Sequence, residues 1–277
     1  MKILVTNDDG IFAEGLWQLA TELTKIAQVA VVAPDRERSA IGTAVTLRQP
    51  LTVQKIDPIL PGVEAYAVDG TPSDSVILAL GKLFANEINL VISGINHGLN
   101  LGDDVFISGT VGAALQGYVH GLPAFAISVE TLDEPYLESA AKLATLLAKK
   151  IDSHALPNDI FLNVNLPNLP TEAINGARVT RLANQSHGNT VTVKEGHDGS
   201  RSQYWLLRRR LSKDTDSKTD IEAIEQDNIS ITPLHTTLFN QPAPIVTDNL
   251  CSELLQELRE YQMGEKVPKN CESNSDS

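Results

Sequence analysis

Short apolar runs without alternation punctuate the first half of the chain, and amphipathic stretches lie between them. Ile3-Leu4-Val5 and Val29-Ala30-Val31-Val32-Ala33 are continuous in apolar side chains, the pattern of strands buried on both faces. From Glu14 to Ile26 the apolar positions recur at helical spacing. Leu51–Val53 and Ala65–Val68 predict a strand pair. Leu90-Val91-Ile92-Ser93 and Ala124-Phe125-Ala126-Ile127-Ser128 predict two further buried strands. A helix is predicted from Thr71, an N-cap followed by Pro72 at the first helical position, to about Phe84. Others are predicted from near Ser108 to Gly121 and from Glu134 to Ile151. This alternation predicts an α/β fold: a doubly wound, mainly parallel, Rossmann-like sheet with helices on both faces.

The pattern changes after Phe161. Phe161–Leu166 reads as a strand ending in the Pro167–Pro170 turn, and Ala177–Leu182, Val191–Val193 and Gln203–Arg210 read as antiparallel or hairpin strands. Thr219-Asp220-Ile221-Glu222 has the spacing of a capping box, and Ile229–Leu234 reads as a late strand. A terminal helix is predicted from Asp248 to Met263, followed by a polar tail. The expected organisation is therefore a catalytic α/β core over 1–183, a hairpin-rich region over 184–247 with a strand returning to the core, and a helix and tail over 248–277. Segment 184–218 is too polar to form its own core and is expected to project or to pair with another subunit.

Composition narrows the functional classes. The 277 residues are 42% hydrophobic, enough for a large core. A formal charge of −13 disfavours nucleic-acid polymers and anionic membranes, which select basic surfaces. Cys251 and Cys271 fit neither a disulfide framework nor a zinc spacing. With no signal-type segment or bilayer-spanning stretch, the expectation is a cytoplasmic protein.

The candidate chemistry lies in the loops expected at the carboxyl ends of the strands, where open α/β sheets bind ligands. Asn7-Asp8-Asp9-Gly10 follows the first strand. Two adjacent carboxylates repel each other unless a cation lies between them. They are either half of a hard-metal site or a turn of solvated acids. Pro34 to Ser39 follows the second strand, and Gly94 to Asp104 follows the Leu90 strand. Ser108-Gly109-Thr110 opens a helix, whose N–H groups suit an anion or an ordinary cap. Oxygen donors of this kind select Mg²⁺ or Mn²⁺ rather than zinc. His97, Arg36 and Arg38 read as loop residues, Asp103 and Asp104 as loop or capping acids, and Asn100 as a support behind the ligands.

The stretches NDDG, APDRERS, VDGTPSDSV and VISGINHGLNLGDDVFISGTVGAALQG, with the later NVNLPNLP, RVTR and ISITPL, resemble the SurE family of 5′-nucleotidases. The likeness runs from Met1 to about Leu234. It implies a metal-dependent phosphomonoesterase acting on nucleoside 5′-monophosphates, with 3′-nucleotides and short polyphosphate as further substrates. It implies one Mg²⁺ or Mn²⁺ per subunit held by Asp8, Asp9, Ser39 and Asn96, with Asp8 and Asp9 catalytic. Asn96, Ser108, Gly109 and Thr110 are then expected to bind the substrate phosphate. Ala40 stands where the family often has Gly. The family also implies homodimers or homotetramers that exchange C-terminal elements. Rival enzymes fit worse: a haloacid-dehalogenase-type nucleophile would fall on Asn7, and neither G-x-G-x-x-G nor a P-loop is present. A nucleotide-sensing protein without turnover is the alternative of a different class.

Overall fold

Ile3, Leu4 and Val5 are fully buried because both faces of their strand are covered. In the computed structural model, which describes residues 1–57, 59–130, 135–184, 187–194, 203–210 and 218–236, this strand, β1 (Lys2–Thr6), belongs to a nine-stranded sheet. The others are β2 (Gln28–Pro34), β3 (Val53–Ile56), β4 (Glu64–Val68), β5 (Leu90–His97), β6 (Ala124–Val129), β7 (Phe161–Leu166), β8 (Gly176–Val179) and β11 (Asn228–Pro233). A separate antiparallel ribbon pairs β9 (His187–Lys194) with β10 (Gln203–Arg210).

The spatial order is β3-β4-β2-β1-β5-β6-β7-β11-β8. The strands from β4 to β7 are parallel, β3 is antiparallel to β4, and β11 is antiparallel to β7. The sheet is thus mixed, not purely parallel. The link from β3 to β4 is too short for a helical crossover, so those strands must reverse. From β1 the chain moves outward to β2 and β4, then crosses to β5 on the other side of β1. The order reverses at β1, and the carboxyl ends of β1, β2 and β5 flank that switch point.

Alternate side chains of the strands feed two core layers. Ile3, Val5, Val31, Ile92 and Ile127 pack with α1 (Glu14–Leu23) and α4 (Leu137–Asp152). Leu4, Val32, Val91 and Ala126 pack with α2 (Pro72–Leu78) and α3 (Gly109–Val119). The small side chains of α3 let it lie close to the sheet: a Cβ on Gly117 would stand 2.6 Å from the Val91 Cβ. Among the described residues no helix is long and apolar enough to cross a membrane.

Several expected boundaries shift. The first helix stops at Leu23, the helix after Thr71 changes from α to π geometry over Ala79–Leu83, and the early strand falls on Val53–Ile56. More consequentially, β5 does not end at Gly94 but runs to His97, with a register shift between Ser93 and Asn96. Asn96 therefore stands on a bulged strand end rather than in a free loop. In the capping box at α5 (Asp220–Glu225), Thr219 accepts from the Glu222 N–H as expected, whereas the Glu222 carboxylate takes the Lys218 N–H. Met1–Leu234 forms one compact unit. The predicted Asp248–Met263 helix, the tail, Cys251 and Cys271 lie outside the described residues.

Candidate active site

Asn7 sets the turn that carries the paired acids. Its buried side chain donates to the Gly10 carbonyl at 3.1 Å and accepts from the Gly10 N–H at 3.2 Å. Gly10 has φ of 101°, and a Cβ there would come within 2.9 Å of the Arg36 carbonyl carbon. Only glycine suits both the dihedral and the contact with the second loop.

Three ties then converge on Asp8 and Asp9. The Arg38 N–H donates to the Asp8 carbonyl at 2.7 Å, which brings the loop carrying Ser39 alongside. The Thr110 hydroxyl donates to the Asp8 carboxylate at 2.5 Å, and a Cβ on Gly109 would lie 2.8 Å from the Asp8 Cβ. The helix N-terminus thus abuts a carboxylate, where its positive dipole end is favourable. The His97 backbone, next in chain to Asn96, lies near enough to the Asp9 carboxylate to favour its charged form. All the expected loops meet at one place.

The electrostatics of this place are unusual. Asp8 is 4% exposed. Burial, opposed by the Thr110 hydrogen bond and reinforced by Asp9, raises its pKa from 3.8 to about 6. Burial also raises Asp9 from 3.8 to about 6, opposed by the His97 backbone and reinforced by Glu37. Asp9 Oδ2 is buried with no hydrogen-bond partner. An orphaned carboxylate oxygen beside a second buried acid fits a divalent cation, which would supply the missing partner. No group of three or more His, Cys, Asp or Glu side chains suited to a metal occurs among the described residues.

These shifts carry a sign. Between about pH 4 and 6 the folded protein holds protons that the unfolded chain has released. Their contribution to stability is present at the acid end and is lost as pH rises through the folded value near 6. Added Mn²⁺ or Mg²⁺ should therefore raise the melting temperature most above about pH 7 and little below about pH 5, where protons compete for the same oxygens. Thermal denaturation with and without metal measures this. An equal upshift at both pH values would remove these acids from the cation site.

The remaining expected residues have defined settings. The Asn96 side-chain N–H group donates to the Gly98 carbonyl at 2.7 Å, which commits its nitrogen and leaves Oδ1 as its acceptor end. Ser39 is exposed, and its hydroxyl donates to Glu37 at 2.7 Å. Ala40 adopts φ of 54°, the left-handed conformation that favours glycine. Ser108 caps α3 by accepting from the Val111 N–H at 3.1 Å. Arg36 and Arg38 are not merely solvated: both pair with Asp69 at 3.0 Å. Asp104 accepts the Ser108 N–H at its backbone, and its carboxylate meets His187 Nδ1 at 2.7 Å.

Several supporting residues escape sequence reasoning. Asn163 and Asn165, both fully buried on β7, donate to the Asn100 carbonyl, and Asn165 also accepts the Asn100 N–H. The Asn100 side chain donates to Ser128 at 2.9 Å. Asp220, fully buried, accepts from the N–H groups of Gly102, Ala183 and Ile221, and burial raises its pKa. Together they hold the segment between Asn96 and Ser108. The available signal was two asparagines alternating inside an otherwise apolar strand.

An α/β sheet with paired acids and a helix N-terminus at its switch point defines a protein built to hold a small charged ligand at the carboxyl ends of its strands. The family described as "Survival protein SurE" matches residues 3–189. A protein named "5′-nucleotidase SurE" from Dehalococcoides mccartyi (strain CBDB1) is 53% identical over 264 residues, covering 95% of this chain and 99% of the relative. Its namesake from Legionella pneumophila (strain Paris) is 43% identical over 254 residues, covering 92% and 98%. The crystal structure of the SurE protein from Aquifex aeolicus superposes with a TM-score of 0.74 at 33% identity, covering 94% of this chain and 100% of that one. The chain belongs to the SurE family.

Proposed function

We propose that this protein is a 5′-nucleotidase that hydrolyses nucleoside 5′-monophosphates to nucleoside and phosphate. The observation that carries this is the contact of buried Asp8 with the N-terminus of α3 through Thr110, beside the unpartnered oxygen of Asp9. In this reading Asp8, Asp9, Ser39 and Asn96 hold a divalent cation, Mg²⁺ or Mn²⁺. Bound there, it would neutralise the acids and polarise the phosphoryl group.

The chain's own groups do the rest. Ser108, Gly109, Thr110 and Asn96 receive the phosphate oxygens. First-turn N–H groups lack intrahelical acceptors and suit an anion. Thr110 acts partly through Asp8, since its hydroxyl already serves that carboxylate. Asp9, whose Oδ2 has no hydrogen-bond partner in the protein, is placed to take a proton from the attacking water. The water oxygen–phosphorus bond forms, the phosphorus–O5′ bond breaks, and O5′ takes up the proton that Asp9 accepted from the water, so that the nucleoside leaves as an alcohol.

The ribbon of β9 and β10 exposes Val191, Tyr204, Trp205 and Leu206. Both faces of a two-stranded ribbon carrying such residues need a cover. A second copy of the chain, in a homodimer or homotetramer, supplies it in this proposal. Phosphate release from AMP, GMP and UMP, with Mn²⁺ or Mg²⁺ against EDTA, tests the activity. Metal-dependent release is expected, and none from any monophosphate would favour a nucleotide-sensing protein.

A further inference from the structure

Among the described residues of this aromatic-poor chain, phenylalanine sorts sharply. Phe84, Phe125 and Phe161 are 3%, 0% and 4% exposed, whereas Phe12 and Phe106 are 70% and 64% exposed. The two exposed rings are not scattered. Phe12 lies four residues beyond Asp8, and Phe106 lies four residues before Thr110. Asp8 and Thr110 are themselves joined by the 2.5 Å hydrogen bond. Each ring therefore springs from one of the two segments that meet at the acids.

The backbones beneath these rings are tied down. On one side, the Ile11 N–H donates to the Pro34 carbonyl at 2.8 Å, the Ile11 carbonyl accepts from Trp17 Nε1 at 2.6 Å, and the Ala13 N–H donates to the Gly10 carbonyl at 3.0 Å. On the other, Phe106 closes a 3₁₀ turn over Gly102–Phe106, the Ile107 N–H donates to the Asp104 carbonyl at 3.0 Å, and the Gly42 N–H donates to the Ile107 carbonyl at 2.8 Å. An apolar ring held in water on a fixed backbone gains most from a flat apolar ligand, because little ordering remains to be done on binding.

We infer that Phe12 and Phe106 form a nucleobase subsite beside the joined Asp8 and Thr110, stacking the base of a nucleotide whose phosphate lies at the α3 N-terminus. This rests on the proposed nucleotidase reading and deepens it. Stacking is tolerant of base identity, since every base offers a π-face, so the subsite predicts broad base acceptance with purines favoured over pyrimidines by their larger area. It separates nucleotides from small phosphate esters that lack a base.

The test compares wild type with Phe12→Ala, Phe106→Ala and the double variant, using AMP, ribose 5-phosphate and adenosine. Adenosine carries no phosphate and is not turned over, so calorimetric binding of adenosine reads the subsite without activity. The double variant should bind adenosine about 5- to 100-fold more weakly and show a KM for AMP raised by a similar factor, with kcat and the ribose 5-phosphate kinetics little changed. Unchanged adenosine binding and an unchanged ratio of AMP to ribose 5-phosphate efficiency would overturn the subsite while leaving the phosphatase intact. Should wild type release phosphate from neither ester, the nucleotidase reading fails, and adenosine binding alone decides the subsite: loss in the double variant supports it, and persistence refutes it.

Discussion

Replacing Asp9 by Asn should lower kcat/KM for nucleoside monophosphates by about 10³-fold or more while leaving the fold intact. The physical reason is the setting of Asp9 Oδ2, buried and without a hydrogen-bond partner. An amide of the same shape keeps the volume of the side chain but removes the charge that would hold a cation and take a proton. In the metal-free protein the substitution removes an uncompensated buried charge. The variant should therefore melt at or above the wild-type temperature near neutral pH. The two readouts move in opposite directions, which separates lost chemistry from lost folding. Circular dichroism, melting curves and steady-state kinetics provide them, and an Asp9→Asn protein with undiminished turnover would take this residue out of the site.

The largest expected effect on stability belongs to a residue far along the chain. Asp220→Ala should destabilise the protein by about 3–5 kcal/mol in urea denaturation, because the N–H groups of Gly102, Ala183 and Ile221 would lose their shared acceptor inside the protein. Asp220→Asn should fall between, since one carboxamide oxygen replaces two carboxylate oxygens and its NH₂ group would face a donor. Activity should decline with stability, because Gly102 belongs to the segment that leads into Ser108 and α3. A loss below about 1 kcal/mol for Asp220→Ala would show that these contacts are individually weak and that the segment is held by the asparagines of β7 instead.

Much of this architecture is legible along the chain. The runs at Ile3–Val5, Val29–Ala33, Leu90–Ser93 and Ala124–Ser128 all fall within observed strands, because strands covered on both faces select apolar residues at every position. Helix starts at Thr71 and Ser108 are likewise local: their hydroxyls cap N–H groups three residues on. The path of β5 past Gly94 is not legible, since Gly94 and the polar residues after it read as a turn. That extension depends on pairing of Asn96 and His97 with Ser128 and Val129 of β6. Nor do Arg36 and Arg38 reveal that Asp69, more than thirty residues on, would pair with them. Asn163 and Asn165 sit in the strand that was expected, yet their task depends on a loop more than sixty residues away.

By itself the sequence determined the alternation of strands and helices, the presence of two adjacent acids at the end of the first strand, and a helix N-terminus rich in small and hydroxyl residues. These follow from short-range rules of burial, capping and chain geometry, which act within a few residues. Only the tertiary structure decided that Thr110 would bond Asp8, that Asp9 would keep a buried oxygen unpartnered, and that both acids would rise to about 6. Desolvation and hydrogen bonding of a carboxylate depend on what the rest of the chain places around it, and that is settled only when distant loops converge on the switch point at β1.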